Sequence, residues 1–205
     1  MEFREVAGKR RAIRDYTDEA VGPEVLQGLI ETVIQAPSAR NMQPWSFWVI
    51  EGRDAIDQLA ASVKDWLLEQ SFGHGIYSPM VRAANNPGFS VFYHAPALVL
   101  VTATSQAVQA AQDCCLAAEM LMLAARDSNL GSCWIGLSCP WFNLSTTKAQ
   151  FKIPEDYCVV APIILGHPKK WPTSNGRSPA VVHWWSPQGQ EVANESVDAQ
   201  AVAAG

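Results

Sequence analysis

The sequence predicts a single globular domain that mixes helices with buried strands around one long internal helix. Residues 106–129, QAVQAAQDCCLAAEMLMLAARDSN, hold strong helix formers with no Pro or Gly. Apolar runs at 45–51, 94–102, 131–136 and 156–166 read as strands. With 48% hydrophobic and 17% charged residues in a chain of 205, a substantial core can be buried, and no linker divides it.

The apolar residues of the long helix are not confined to one stripe. Val108, Cys114, Leu116, Met120, Leu121, Leu123 and many alanines surround its axis, so it is expected to be buried on most sides. Thr104 or Ser105 is placed to cap its start, and Gly131 sits just past its end. It is no membrane span, because Gln109, Gln112, Asp113, Glu119 and Arg126 interrupt it. At 1.5 Å per residue it is roughly 35 Å long, the diameter of a domain of this size. Such a helix predicts a second subunit on one side, with alanines and cysteines letting the partner's backbone approach closely.

In chain order, FREVAGKRRAIRDY at 3–16 begins as a short amphipathic helix and then clusters Lys9, Arg10, Arg11 and Arg14. A basic cluster is commonly a solvated end or a nucleic-acid patch. The net charge of −5 speaks against nucleic acid, while Ile13 and Tyr16 tie the cluster to a core, so a phosphate clamp is the better reading. Pro23 opens a helix carrying Val25, Leu26, Leu29, Ile30, Val33 and Ile34, which must end before Pro37. APSARNMQPWSFWVIE then forms an ordered loop feeding the strand from Trp45 to Glu51. Its Ser38 and Asn41 either bond their own backbone or, with neighbouring amides, offer donors to a polar ring edge.

Residues 53–70 read as a helix, with Ile56, Leu59, Val63, Trp66 and Leu67 on one face. The 71–93 stretch, with two prolines and three glycines, breaks every period and reads as a lid or mobile segment. The strand at 94–102 precedes the long helix, and GSCWIG follows it. A helical turn is expected near 144–151. Pro162 assigns the 156–166 strand to an edge position or a bulge. HPKKWPTSNGRSP leads out of the core, AVVHWW returns as a short strand that crosses to a neighbouring subunit, and 189–205 reads as a mobile tail.

No catalytic constellation is visible. The four histidines show no metal-binding spacing, and GxSxG, Walker and GxGxxG motifs are absent. The five cysteines include no CxxC and lie largely in apolar runs; with an N-terminus lacking a secretory core, they predict a cytoplasmic protein. An enzyme without its own acids, bases or metals needs a cofactor to carry the chemistry. Guanidiniums at one end, amide loops in the middle and eight tryptophans suit a phosphorylated, flat, polar-edged ring, a description that FMN fits.

KRRAIRDY at 9–16, APSARNMQPWSFWVI at 36–50, the DxxxAAExLxLAAxxxxLGSCWIG pattern from Asp113 to Gly136, ILGHP at 164–168 and Arg177-Ser178-Pro179 occur in the order expected of the nitroreductase family. The chain resembles a short member of that family over roughly residues 3–185. The resemblance implies an α+β fold of three layers, with a mostly antiparallel sheet, helices around it and the long helix at a homodimer interface that holds two FMN. It implies one domain over 1–188, with a variable lid at 71–93 and a C-terminal arm at 167–188. Arg10, Arg11 and Arg14 would hold the phosphate and ribityl chain, with Arg177 completing the phosphate site. Pro37, Ser38, Ala39 and Asn41 would approach from the partner subunit, and Ile135, Gly136 and Leu137 would line the isoalloxazine. Ala12 stands where the family commonly has Ser, so one hydroxyl contact is missing. The implied activity is ping-pong: NADH or NADPH reduces FMN by hydride transfer, and a nitroaromatic or quinone-like acceptor follows, with no catalytic side chain, metal, membrane or nucleic acid. The alternatives on the same fold are reductive dehalogenation, oxygen-dependent flavin cleavage and non-catalytic flavin binding.

Overall fold

The computed structural model describes residues 2–74, 84–174 and 176–185. The chain divides into two compact units, Met1–Pro172 and Thr173–Gly205. In the first, α1 (Phe3–Lys9) and α2 (Pro23–Val33) precede β1 (Trp45–Glu51) and α3 (Arg53–His74). Then come β2 (Ala97–Ala103), α4 (Val108–Asp127), β3 (Gly131–Trp134), α5 (Cys139–Phe142), α6 (Ser145–Phe151) and β4 (Cys158–Gly166).

The strands form a four-stranded sheet in the order β1-β2-β4-β3. Every neighbouring pair is antiparallel. Alternation along β2 separates two cores. Val99, Val101 and Ala103 face α2 and α4, packing with Leu26, Leu29, Val33, Cys114, Ala118 and Leu121. Leu98 and Leu100 face the other way, against Ile56, Ala60 and Val63 of α3 and Phe142 of α5. Helices thus cover both faces of an antiparallel sheet, the expected three-layer α+β fold. Each fully buried Leu, Ile or Phe in these layers contributes roughly 1.5–3 kcal/mol.

Several expectations need correction. Neither Gly131 nor a Thr104 or Ser105 side chain caps α4. Ala107 precedes its first turn without a side-chain cap, and the Ser105 hydroxyl accepts from the Ala107 N–H at 3.4 Å instead. At the other end Asn129, at φ 59°, makes the left-handed turn. The Leu130 N–H bonds the Ala125 carbonyl at 2.7 Å and the Asn129 N–H that of Arg126 at 3.1 Å, which is a Schellman closure. Gly131 opens β3. Nor is α4 buried on most sides of the single chain: Val108 is 74% and Leu116 48% exposed, with Cys115 between them.

The 156–166 strand is not an edge strand, since β4 lies between β2 and β3. The bulge is present: Val101 pairs with Ala161 but Thr102 with Val159, leaving Val160 as the extra residue. Pro162 is tolerated because β3 ends opposite Ile163, and the Pro162 carbonyl meets the Ile135 N–H at 2.8 Å just beyond. In an antiparallel strand the missing N–H faces that same side, where β4 has already lost its strand neighbour.

Helix α3 runs four residues further than its period predicts, and α5 adds a turn before the expected one. Of the segment read as a lid, 75–83 lies outside the described residues, and 84–93 is anchored at its ends while 85–88 is exposed. Val91 and Phe92 are fully buried, Phe92 against Phe142, and the Lys64 ammonium donates to the carbonyls of Asn86, Pro87 and Phe89. The described part of the second unit contains no helix and no named strand, only single bridge residues at Ala180 and Trp184; the tail from 189 lies outside the described residues.

Candidate functional site

The basic segment is laid along the free edge of β3. Helix α1 stops at Lys9, and Arg10 turns extended while its N–H still bonds the Val6 carbonyl. Ala12 then forms a parallel bridge with Ser132, and the Ile13 N–H donates to the Ser132 carbonyl at 2.9 Å. Further on Tyr16 bridges Pro168 and the Thr17 N–H donates to the His167 carbonyl at 2.8 Å. Ile13 and Tyr16, each 2% exposed, anchor the run, and the Tyr16 hydroxyl donates to the Ile13 carbonyl.

Two glycines make this approach possible. A Cβ on Gly131 would lie 2.6 Å from Ile13 Cγ1, and one on Gly166 would lie 2.7 Å from the Tyr16 ring. Both distances are below van der Waals contact: a side chain at Gly131 must displace Ile13 of the basic segment, and one at Gly166 must displace Tyr16 or Pro96, whose Cδ would lie 2.6 Å away.

The three arginines divide their work. Arg11 turns back to the carbonyls of Gly8 and Arg10, at 2.8 and 2.6 Å. Arg10 Nε lies 3.6 Å from Glu119 Oε1 on α4, a loose, half-exposed pair. Among the described residues Arg14 has no carboxylate partner; its guanidinium stands 5.9 Å from the Tyr93 ring centroid, and its charge reaches the Cys133 thiol. Burial pushes that thiol up, while Arg14 and then Arg10 pull it the other way. A cleft of about 290 Å³ opens along the segment, lined by Ala12, Ile13, Arg14, Asp15, Lys170 and Pro172. Unneutralised guanidinium at such a cleft, in a chain of net charge −5, suits a phosphate monoester. Ala12 adds no hydroxyl.

Immediately after β3, Ile135 is buried, Gly136 exposed and Leu137 half-buried, in a turn closed by the Ser138 hydroxyl donating to the Ile135 carbonyl at 2.8 Å. The arginine segment and this turn therefore flank the same short strand.

Loop 37–43 is attached elsewhere, to the N-terminal half of α4. The Ala39 N–H donates to both oxygens of Asp113 at 3.2–3.3 Å, and Gln109 donates to the same buried carboxylate at 3.2 Å. The Ser38 hydroxyl accepts from the Gln43 N–H at 2.9 Å, as turn chemistry predicts. Arg40, Asn41 and Gln43 take φ values of 53°, 55° and 47°, each a left-handed residue of the kind that collects at ligand clamps. Pro37, Arg40, Asn41 and Met42 are exposed. Among the described residues no hydrogen bond or ion pair joins this loop to residues 10–14. Arg177 belongs to the second unit, where it is exposed and donates to the Gly176 carbonyl at 3.3 Å.

Sequence reasoning missed the anchors Asp113 and Glu119. Their signal was the spacing of the two acids in DxxxAAE, which places one under each candidate segment. Other chemistry is not favoured at the thiols. Burial pushes Cys114 up to about 12 and Cys139 to about 11, so neither is a thiolate nucleophile at neutral pH. Among the described residues no cluster could hold a metal ion, and no helix is long and apolar enough to cross a membrane.

A three-layer α+β domain with a basic segment laid on the edge of its sheet is the class that fold and site define. The Nitroreductase family model matches residues 7–167, and the chain belongs to that family. An Archaeoglobus fulgidus protein named as an NADH dehydrogenase/NAD(P)H nitroreductase is 29% identical over 164 residues, covering 78% of this chain and 82% of the relative. The structure of a nitroreductase with bound FMN from Desulfitobacterium hafniense superposes with a TM-score of 0.72 at 25% identity, covering 88% of this chain and 95% of that one. Iodotyrosine deiodinase bound to FMN and 3-iodo-L-tyrosine shares the fold, with a TM-score of 0.69 at 21% identity over 90% of this chain and 99% of that one.

Proposed function

We propose that the chain is an FMN-dependent NAD(P)H oxidoreductase, working as a homodimer on nitroaromatic or quinone-like acceptors. The observation that carries this reading is the arginine segment stitched to β3, which sets an uncompensated guanidinium beside the strand whose end is the 135–137 turn. The family membership and the FMN-bound relative support it. Arg10 and Arg14 would hold the phosphate. The backbone of Ile135, Gly136 and Leu137 would line the ring, and Pro37, Ser38, Ala39 and Asn41 would reach the flavin of the other subunit. Arg11 braces the end of α1. When bound, FMN supplies two-electron chemistry, taking reducing equivalents from NADH or NADPH and giving them to an acceptor that then occupies the same slot. The protein's share is binding and orientation, which fits a site with no acid–base pair.

The test is the visible spectrum of the purified protein with FMN, under nitrogen, followed by NADH and then NADPH. The expected result is a bound flavin band that bleaches with one or both nucleotides and returns when a nitroaromatic is added. A bound flavin that neither nucleotide bleaches overturns the reductase reading. Reductive dehalogenation is the second reading, favoured by the fold shared with iodotyrosine deiodinase; release of halide from a halotyrosine by the pre-reduced protein, with nitroaromatics inert, would establish it instead.

A further inference from the structure

Arg40 lies between Ala39 and Asn41, two residues read as flavin contacts, yet neither the fold nor the flavin reading uses its side chain. It is exposed, and among the described residues its guanidinium makes no hydrogen bond, ion pair or ring contact.

The backbone beneath it is fixed. The Ala39 N–H is held by the buried Asp113 carboxylate, and the Pro44 carbonyl accepts from the Cys114 thiol at 3.5 Å, so consecutive residues of α4 grip both ends of the loop. Inside it, the Met42 N–H bonds the Ala39 carbonyl at 3.0 Å and the Gln43 side chain donates to the Asn41 carbonyl at 3.4 Å. Arg40 itself takes φ 53° and ψ 23°, a left-handed conformation that Gly adopts freely and other residues resist. An arginine stands where glycine suits the backbone better, so what the position gains from it is the guanidinium.

On the reading above, this loop reaches toward the flavin of the other subunit. A guanidinium carried there loses water and needs an anion in its place. A phosphate dianion calls for two or more cations, whereas one unpaired guanidinium balances one carboxylate, which its planar fork matches with two parallel hydrogen bonds. The carboxylate of an aromatic acid projects from the edge of the ring, where a flanking loop meets it.

We propose that Arg40 is a specificity residue that binds the carboxylate of aromatic acceptors, so that the protein prefers nitroaromatic acids to their neutral counterparts. This rests on the oxidoreductase reading above and names the acceptor class within it.

The test compares 4-nitrobenzoate with 4-nitrobenzamide, which differ in charge and little in shape, on the full-length FMN-loaded protein and its Arg40→Gly and Arg40→Lys variants. Dissociation constants come from the shift in flavin absorbance without reductant, and KM and kcat from turnover with the nucleotide that bleaches the flavin. The wild type is expected to favour nitrobenzoate on the order of tenfold in dissociation constant and KM, as one charge-assisted contact at a partly solvated site should, with kcat within about twofold. Arg40→Gly, which suits the left-handed backbone, should erase that preference by weakening nitrobenzoate alone, and Arg40→Lys should restore part of it. Equal binding of the two compounds by the wild type, a preference that survives in Arg40→Gly, or a loss in that variant that falls on the nucleotide instead, would overturn the proposal and leave the oxidoreductase reading standing. A wild type whose bound flavin neither nucleotide bleaches would overturn both.

Discussion

At the scale of single residues, the candidate site is a problem in placing unpaired positive charge. Among the described residues Arg14 makes a distant ring contact and pairs with no carboxylate, while Arg10 has a weak partner in Glu119. Neither side chain is needed for the core, because Ile13 and Tyr16 between and beyond them do the anchoring. Replacing both by Ala should therefore leave the fold intact and remove cofactor. A charge-assisted contact is worth roughly 1.5–3 kcal/mol, and partial exposure puts these at the low end. Together they should weaken FMN by about a hundredfold, close to 2.8 kcal/mol. Co-elution of flavin with the Arg10→Ala, Arg14→Ala double variant on gel filtration, at wild-type stoichiometry, would refute the phosphate clamp.

At the scale of elements, the join between α4 and β3 controls the site from outside it. Asn129 takes the left-handed turn, so Asn129→Ala should cost about 1 kcal/mol in denaturant unfolding and Asn129→Gly little or nothing. Gly131→Ala is expected to act differently. Its Cβ would meet Ile13, so the arginines shift and FMN affinity falls more than stability does, although Gly131 is no proposed ligand. Flavin titration beside chemical denaturation of both alanine variants separates these effects; equal FMN affinity in Gly131→Ala would sink the link between the close approach and the site. The same join shows what a sequence discloses. Helix α2, β1 and the body of α4 were legible to within a few residues, because period and punctuation are local. The cap was not: a Gly two positions after an Asn looks like the better turn residue until Ile13 is found against it. The inner place of β4 was hidden for a similar reason, since Pro162 is acceptable only because β3 stops one residue short of it. Likewise, the candidate ligands could be read as motifs, whereas Asp113 and Glu119 gain meaning only from what the fold lays beside them.

At the scale of the whole molecule, the open question is what covers the outer face of α4. Val108, Gln112, Cys115, Leu116 and Glu119 recur at spacings of three and four, so they share one helical face, and on the single chain that face is exposed at 74% for Val108 and 48% for Leu116. Met42, 70% exposed on the strained 37–43 loop, adds apolar surface carried by the same helix through Asp113. A stable homodimer needs about 800 Å² from each partner, more than a single helical stripe provides, so loop and helix would have to be buried together. Leu116→Glu tests this coupling, since it places a carboxylate where a partner would bury a methyl group. In sedimentation velocity the wild type is expected to run as a dimer with flavin attached, and the variant as a monomer that has lost it, because on the proposed reading the 37–41 contacts would be supplied across the interface. A variant that is monomeric yet binds FMN as tightly as the wild type would separate dimerisation from the flavin site and return the 37–41 loop to a purely structural role.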